Sequence, residues 1–146
     1  MSVDTAAADR EGVLDQPSIR LWRRLVRVTQ AKMREVEGAL APLGLSATEF
    51  DLLAVVRARE GATQQELAQH LLFTEANITY HAQRLCARGL IRREASGKTK
   101  RLFLSPAGHD LIDRALPVVV GLHEQQFAAL EAGQLRQLAA LLRLLR

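Results

Sequence analysis

The sequence predicts a mainly α-helical fold carrying one small β-hairpin, and three observations carry that prediction. Aromatic residues make up only 4% of the 146 positions, so the core must be built from Leu, Ala, Val and Ile, a composition suited to helices packed on helices. Apolar residues recur at steps of three and four along most of the chain, the spacing of a helix with one buried face. The exception is Leu90 to Leu104, which reads as strand, tight turn, strand around Gly97.

Residues 1–13 are polar, Ala-rich and aperiodic, and are expected to form a flexible arm. A long helix begins near Asp15, with Asp15 or Ser18 as cap and Pro17 tolerated in the first turn. Its face is Ile19, Trp22, Val26, Thr29, Met33, Val36 and Leu40, and Pro42 and Gly44 end it. Ser46, with Glu49 three residues on, caps a helix bearing Phe50, Leu52, Leu53 and Val56. Gly61 breaks it, and Thr63 with Glu66 repeats the capping pattern ahead of Leu67, Ala68 and Leu71. Thr74 caps a further helix through Ile78, Ala82 and Leu85 to Gly89, a left-handed terminator. After the hairpin, Ser105-Pro106 opens a long helix with Leu111, Ile112, Ala115, Leu116, Val119 and Leu122 buried and a kink expected at Pro117. A Leu-rich amphipathic helix, Glu131 to Arg146, closes the chain.

Composition excludes several classes of protein. Cys86 is the only cysteine, so there is no intrachain disulfide, no thiolate zinc cluster and no resolving partner for a redox switch within the subunit. His70, His81, His109 and His123 show no metal-ligand spacing. The amino-terminal stretch lacks the apolar core of a signal peptide, and no apolar run reaches the roughly 18–20 residues of a membrane span. No Gly-rich phosphate loop and no nucleophile–base pairing emerges. The reading is a cytoplasmic protein without metal or cofactor, and not an enzyme.

The informative stretch is Thr63 to Leu104. Two short helices, Thr63–Leu71 and Thr74–Arg88, are separated by only Leu72 and Phe73, which is a helix-turn-helix arrangement. In the second helix Ile78, Ala82 and Leu85 face the domain. Ala76, Asn77, Tyr80, Gln83 and Arg84 face away or flank that side. Asn and Gln can pair with adenine and Arg with guanine in the major groove. Charge follows the same stretch: seven basic residues against three acids leave +4, equal to the net charge of the whole chain, so the remainder sums to zero. A cationic excess gathered on one unit is the electrostatic footprint of a nucleic-acid binder. Lys98 and Lys100 at the hairpin tip suit phosphates or an adjacent minor groove.

These residues resemble the MarR family of winged-helix regulators. The likeness is carried by the runs Gly44 to Leu53 and Thr63 to Ala68, by Ile78-Thr79, by Leu85 to Arg93, and by Leu102 to Gly108. The resemblance implies a winged helix-turn-helix with N- and C-terminal dimerisation helices, and a homodimer on a pseudo-palindromic operator. It also implies a repressor released by a small ligand or by oxidation. The apolar groups of the terminal helices agree, since Val118 to Val120, Leu141-Leu142 and Leu144-Leu145 are more apolar faces than one small lobe can cover. Two departures stand out. The family wing commonly carries an acid followed by arginines, whereas Ser96, Gly97 and Lys98 occupy those positions here, and lysine lacks the planar fork of arginine. A recognition-helix position that is often Arg in the family is Tyr80.

The expected organisation is therefore an arm (1–13), a helical dimerisation region (14–44 with 105–146) and a DNA-binding winged helix-turn-helix (45–104). The expected partners are double-stranded DNA, a second copy of the chain and a small anionic or aromatic effector, with no membrane. Asn77, Thr79, Tyr80, Gln83 and Arg84 are the recognition-helix contacts. Thr63, Gln64, Thr74, Lys98, Lys100 and Arg101 are the phosphate and wing contacts. Trp22, Arg23 and Arg27 are candidates for an effector pocket, against a plainer reading with Trp22 in the core and the arginines as a solvated or DNA-facing stripe. The rival function is a winged-helix protein-interaction module without sequence-specific DNA binding.

Overall fold

Side-chain caps and four left-handed glycines punctuate the helices and the hairpin of this chain. The computed structural model describes residues 12–72 and 75–145, and of 75–77 the backbone only. After a 3₁₀ turn, Val13–Asp15, come helices α1 (Pro17–Leu40), α2 (Ala47–Ala58), α3 (Gln64–Ala68) and α4 (Glu75–Ala87). The strands β1 (Ile91–Ser96) and β2 (Thr99–Leu104) follow, then α5 (Pro106–Phe127) and α6 (Ala132–Leu144). The fold is 72% helical, with one two-stranded antiparallel sheet among the described residues. The chain divides into two compact units, one ending at Glu35 and the other beginning at Val36.

The caps fall where local chemistry requires them. Ser46 Oγ accepts from Glu49 N–H at 3.1 Å while Glu49 accepts from Ser46 N–H, and Thr63 and Glu66 repeat the reciprocal pair. Each box satisfies two amides that a helix start leaves unpaired. Ser105 Oγ accepts from Gly108 N–H at 3.0 Å, with Pro106 at the first helical position. Glu131 and Gln134 form a third box ahead of α6. Gly44, Gly61, Gly89 and Gly97 all have positive φ, the backbone region in which glycine carries no Cβ penalty.

In the larger unit, α2 packs against α5, α4 and β2; α3 against α4 and β2; and α4 against β1. Leu40, Leu52, Leu53, Val56, Leu67, Ala82, Leu85, Leu102, Ile112 and Ala115 are sealed from solvent in one core. Ile78, Ala82 and Leu85 are the buried face of α4, as the helical spacing predicts. The hairpin pairs Ile91 with Leu104 through to Ser96 with Thr99.

Two boundaries and the placement of Trp22 differ from the sequence reading. The first recognition-motif helix ends at Ala68, about a turn early, where His70 N–H switches to a 3₁₀ bond with Leu67. The turn of the hairpin is Gly97-Lys98 alone, so Lys100 belongs to β2. Gly97, at φ +63°, occupies its first central position, the arrangement of a type II′ hairpin turn. Helix α5 runs through Pro117, which is exposed. Trp22 is 64% exposed in the single chain rather than core. The cap proposed at Thr74 lies outside the described residues.

A further strand-like contact was not foreseen. Gly61 N–H donates to Leu102 O, Leu102 N–H to Ala62 O, and Thr63 bridges Arg101. These bonds tie the start of α3 to the base of the hairpin.

Candidate nucleic-acid interface

The interface is assembled on α3, α4 and the hairpin, and each is held by contacts distant in sequence. The Leu72 N–H, at the start of the α3–α4 connection, donates to Asp51 Oδ2 at 3.2 Å. Burial raises the Asp51 carboxyl above its ordinary 3.8, and the Leu72 hydrogen bond draws it down by less. At the other end of α4, Arg88 donates to Glu49 Oε2 at 2.7 Å, and Glu49 is only 6% exposed. A buried carboxylate held by a capping amide and a guanidinium fixes α4 against α2, and loss of either partner would leave a charge unpaired. Arg88 thus belongs to the scaffold, although the charge pattern counts it in the basic footprint.

The outward face of α4 carries Thr79, Tyr80, Gln83 and Arg84, all exposed. Arg84 donates to Tyr80 Oη at 3.1 Å, and its guanidinium lies 5.7 Å from the ring centroid. Tyr80 in turn meets the His81 ring edge-on at 5.1 Å. The Tyr80 hydroxyl, as hydrogen-bond partner, raises the Arg84 pKa further above its ordinary value, so this cation keeps its charge. Stacking and hydrogen bonding together restrict a side chain that otherwise samples many rotamers, and less entropy remains to be lost when it meets a base edge. Asn77 lies in the same helix, but its side chain is outside the described residues.

Between α3, α4 and the wing turn runs a groove of about 330 Å³ lined by Thr63, Gln64, Gln65, Thr79, Lys98, Thr99 and Lys100. Five of these were singled out by sequence from three separate segments, and the structure brings them together. Gln65 and Thr99 were missed, although both have a local signal. The capping box at Thr63 places Gln65 in the first turn, and a two-residue turn at Gly97-Lys98 sets Thr99 opposite Ser96. Thr63 itself is 8% exposed, its oxygen engaged in the cap. Arg101 stands at the wing base and donates to Gly61 O at 2.8 Å. Arg92 stacks on Phe103 at 4.4 Å and pairs with Glu94. Lys98 in the turn and Lys100 in the strand after it are exposed, as side chains that meet a phosphate backbone must be.

A second, separate groove of about 640 Å³ lies on the first unit, lined by Leu14, Arg20, Leu21, Arg23, Arg24, Arg27 and Val28. It includes Arg23 and Arg27 but not Trp22. At about 100° per residue, Trp22 falls on the far side of α1 from the arginines. Among the described residues no cluster of His, Cys, Asp or Glu is arranged to hold a metal, and no single helix is long and apolar enough to cross a membrane.

Comparison with known proteins agrees with this geometry. A model of the MarR family matches residues 43–102. An uncharacterized HTH-type transcriptional regulator of Bacillus cereus is 33% identical over 97 residues, and the match spans 66% of that relative's length and 66% of this chain. An HTH-type transcriptional repressor of Mycobacterium tuberculosis is 32% identical over 121 residues, 81% of this chain and 87% of the relative. The structure of a mutant MarR from E. coli complexed with operator DNA superposes with a TM-score of 0.80 at 25% identity, over 87% of this chain and 94% of that one. None of these favours the protein-interaction alternative. The chain belongs to the MarR family of winged-helix transcriptional regulators, and not to a family of enzymes.

Proposed function

We propose that two copies of the chain bind a pseudo-palindromic operator as a cytoplasmic repressor, with residues 45–104 as the DNA-reading lobe. In this reading 14–44 and 105–146 form the dimerisation region. The observation that carries it is the continuity of the outward face of α4 with the groove beside it. Tyr80, Gln83 and Arg84 stand exposed on the helix, and Thr79 of the same face lines the groove together with Gln64, Lys98 and Lys100. A helix seated in a major groove would set Gln83 and Arg84 at base edges and Lys98 and Lys100 along the flanking backbone. Asn77, Thr63, Thr74 and Arg101 complete the proposed contact set.

Uncovered apolar surface supports the dimer. Val118, Val120, Phe127, Leu135, Leu141, Leu142, Leu144 and Leu145 are all exposed on the carboxy-terminal helices, and a second copy is the partner that a two-fold operator requires. A small anionic effector releases the DNA by altering the spacing of the two α4 helices, which must match the DNA repeat of about 34 Å.

The test is a titration of the full chain against DNA upstream of its own gene at two salt concentrations. Competitor-resistant binding is expected, lost about tenfold or more in Arg84→Ala, since one good bidentate base contact is worth about 1–3 kcal/mol. Lys98→Ala should weaken all duplexes alike. Absence of binding to any genomic DNA would overturn the reading and return the interaction module to first place.

A further inference from the structure

The charge balance of the whole chain conceals a second cationic centre. Residues 12–35 hold six basic side chains, Arg20, Arg23, Arg24, Arg27, Lys32 and Arg34, against two acids, Asp15 and Glu35. That excess equals the one on the stretch from Thr63 to Leu104. It escapes a simple sum because acids in residues 1–11 and 36–62 cancel it.

Four of these arginines share one face of α1. At 100° per residue, Arg20, Arg23, Arg24 and Arg27 fall within about 100° of arc. Arg20 neighbours Arg23 and Arg24, and Arg27 neighbours the same two, so four like-charged pairs stand at helical contact spacing and repel one another. All four side chains are exposed, and no ion pair engages them among the described residues. The groove they line has an apolar wall of Leu14, Leu21 and Val28.

From this placement we infer that the groove on α1 binds a small phosphate ester, its head among Arg20, Arg23, Arg24 and Arg27 and its carbon portion on Leu14, Leu21 and Val28. A carboxylate brings one negative charge and would leave most of the repulsion standing. A phosphate monoester brings about −1.5 to −2 and three acceptor oxygens at neutral pH. Those oxygens suit two guanidinium forks at once. The inference deepens the effector reading by naming a site and a ligand class, but the binding itself stands apart from DNA recognition.

The test uses the full chain, titrated calorimetrically with phenyl phosphate, inorganic pyrophosphate and benzoate. Phenyl phosphate should saturate one site per chain, at least tenfold tighter than benzoate. Arg23→Gln with Arg27→Gln should weaken it at least tenfold, and Arg23→Lys with Arg27→Lys by less. Leu21→Ala with Val28→Ala should weaken phenyl phosphate but not pyrophosphate. These positions are exposed in the single chain but lie in the proposed dimerisation region, so unchanged helical circular dichroism and unchanged mass by light scattering verify that the variants fold and assemble. Lack of saturation, equal affinity for benzoate, or indifference to the arginine changes overturns the site. Displacement of the ester by phosphatidylglycerol vesicles would reassign the face to lipid and overturn the small-ligand inference; displacement by duplex is not diagnostic, because an effector that releases DNA is itself released by DNA. If the ester binds but operator affinity is unmoved, the site stands and its role in releasing DNA falls.

Discussion

At the scale of single residues, position matters more than residue type, and two glycines make the point. Gly108 lies in the first turn of α5, buried, where an added Cβ would press into the Leu90 carbonyl oxygen. That oxygen also accepts from Ser105 N–H, so the backbone has no room to retreat. Gly108→Ala is therefore expected to destabilise the chain by about 1–3 kcal/mol. Gly38→Ala, in open space on α1, should be stabilising by roughly 0.5–1 kcal/mol. Urea denaturation of both variants checks the pair, and equal effects would sink the steric argument. Asp51 gives a pH-dependent case. Its folded-state pKa is raised by burial, so the folded chain holds this proton more tightly than the unfolded one. The favourable contribution is present below about 3.8, the unfolded value, and is lost as pH rises through the raised folded value. Asp51→Asn keeps an acceptor for Leu72 N–H without the charge. It should be slightly more stable than the parent at pH 7, by well under about 1 kcal/mol because solvent screens a half-buried group. That advantage should vanish near pH 3.5. A gap that widens towards acid would refute the assignment.

At the scale of elements, what was legible in the sequence is what neighbours three or four residues apart decide. The capping boxes at Ser46 and Thr63, the Ser105-Pro106 start and the buried stripe of α4 all follow from such spacings. What was not legible depends on pairs brought together only by folding. Arg88 and Glu49 are 39 positions apart, and nothing local distinguishes Arg88 from a DNA contact. The strand-like pairing of Gly61 to Thr63 with β2 is hidden for the same reason. The early end of α3 shows a propensity overruled, since the apolar spacing to Leu71 continues while the backbone has already turned. Helix α6 raises the opposite question, because its cap and period are plain but none of its residues is buried. Leu135, Leu138, Leu142 and Leu145 recur at three and four, and an isolated helix of 13 residues is marginal in water. A second copy is the proposed cover. Leu142→Asp should then halve the mass measured by light scattering and weaken operator binding by at least tenfold, while leaving the core around Leu52 and Ile112 folded. A variant that remains dimeric would remove α6 from the proposed interface.

At the scale of the molecule, two cationic centres of equal net charge sit on separate units, and their proposed partners differ. The lobe from Thr63 to Leu104 presents lysines at a wing tip beside a helix with Arg84 exposed, a form suited to an extended backbone of phosphates. The arginines of α1 crowd one groove with an apolar wall, a form suited to one compact anion. Salt separates the two roles, because each phosphate neutralised on a duplex contributes about 0.9 to the slope of log affinity against log salt. Lys98→Ala with Lys100→Ala should reduce the magnitude of that slope by about 1–2 for operator DNA. Arg23→Gln with Arg27→Gln removes as much charge from the chain and should leave the slope unchanged. Net charge alone predicts equal effects from the two pairs, so their comparison reads out location. If the α1 pair lowers the slope as much as the wing pair, the arginine face lies on DNA, and the division of labour between the two centres is wrong. If only the wing pair lowers it, the charge that matters for DNA is the charge at the groove beside α4.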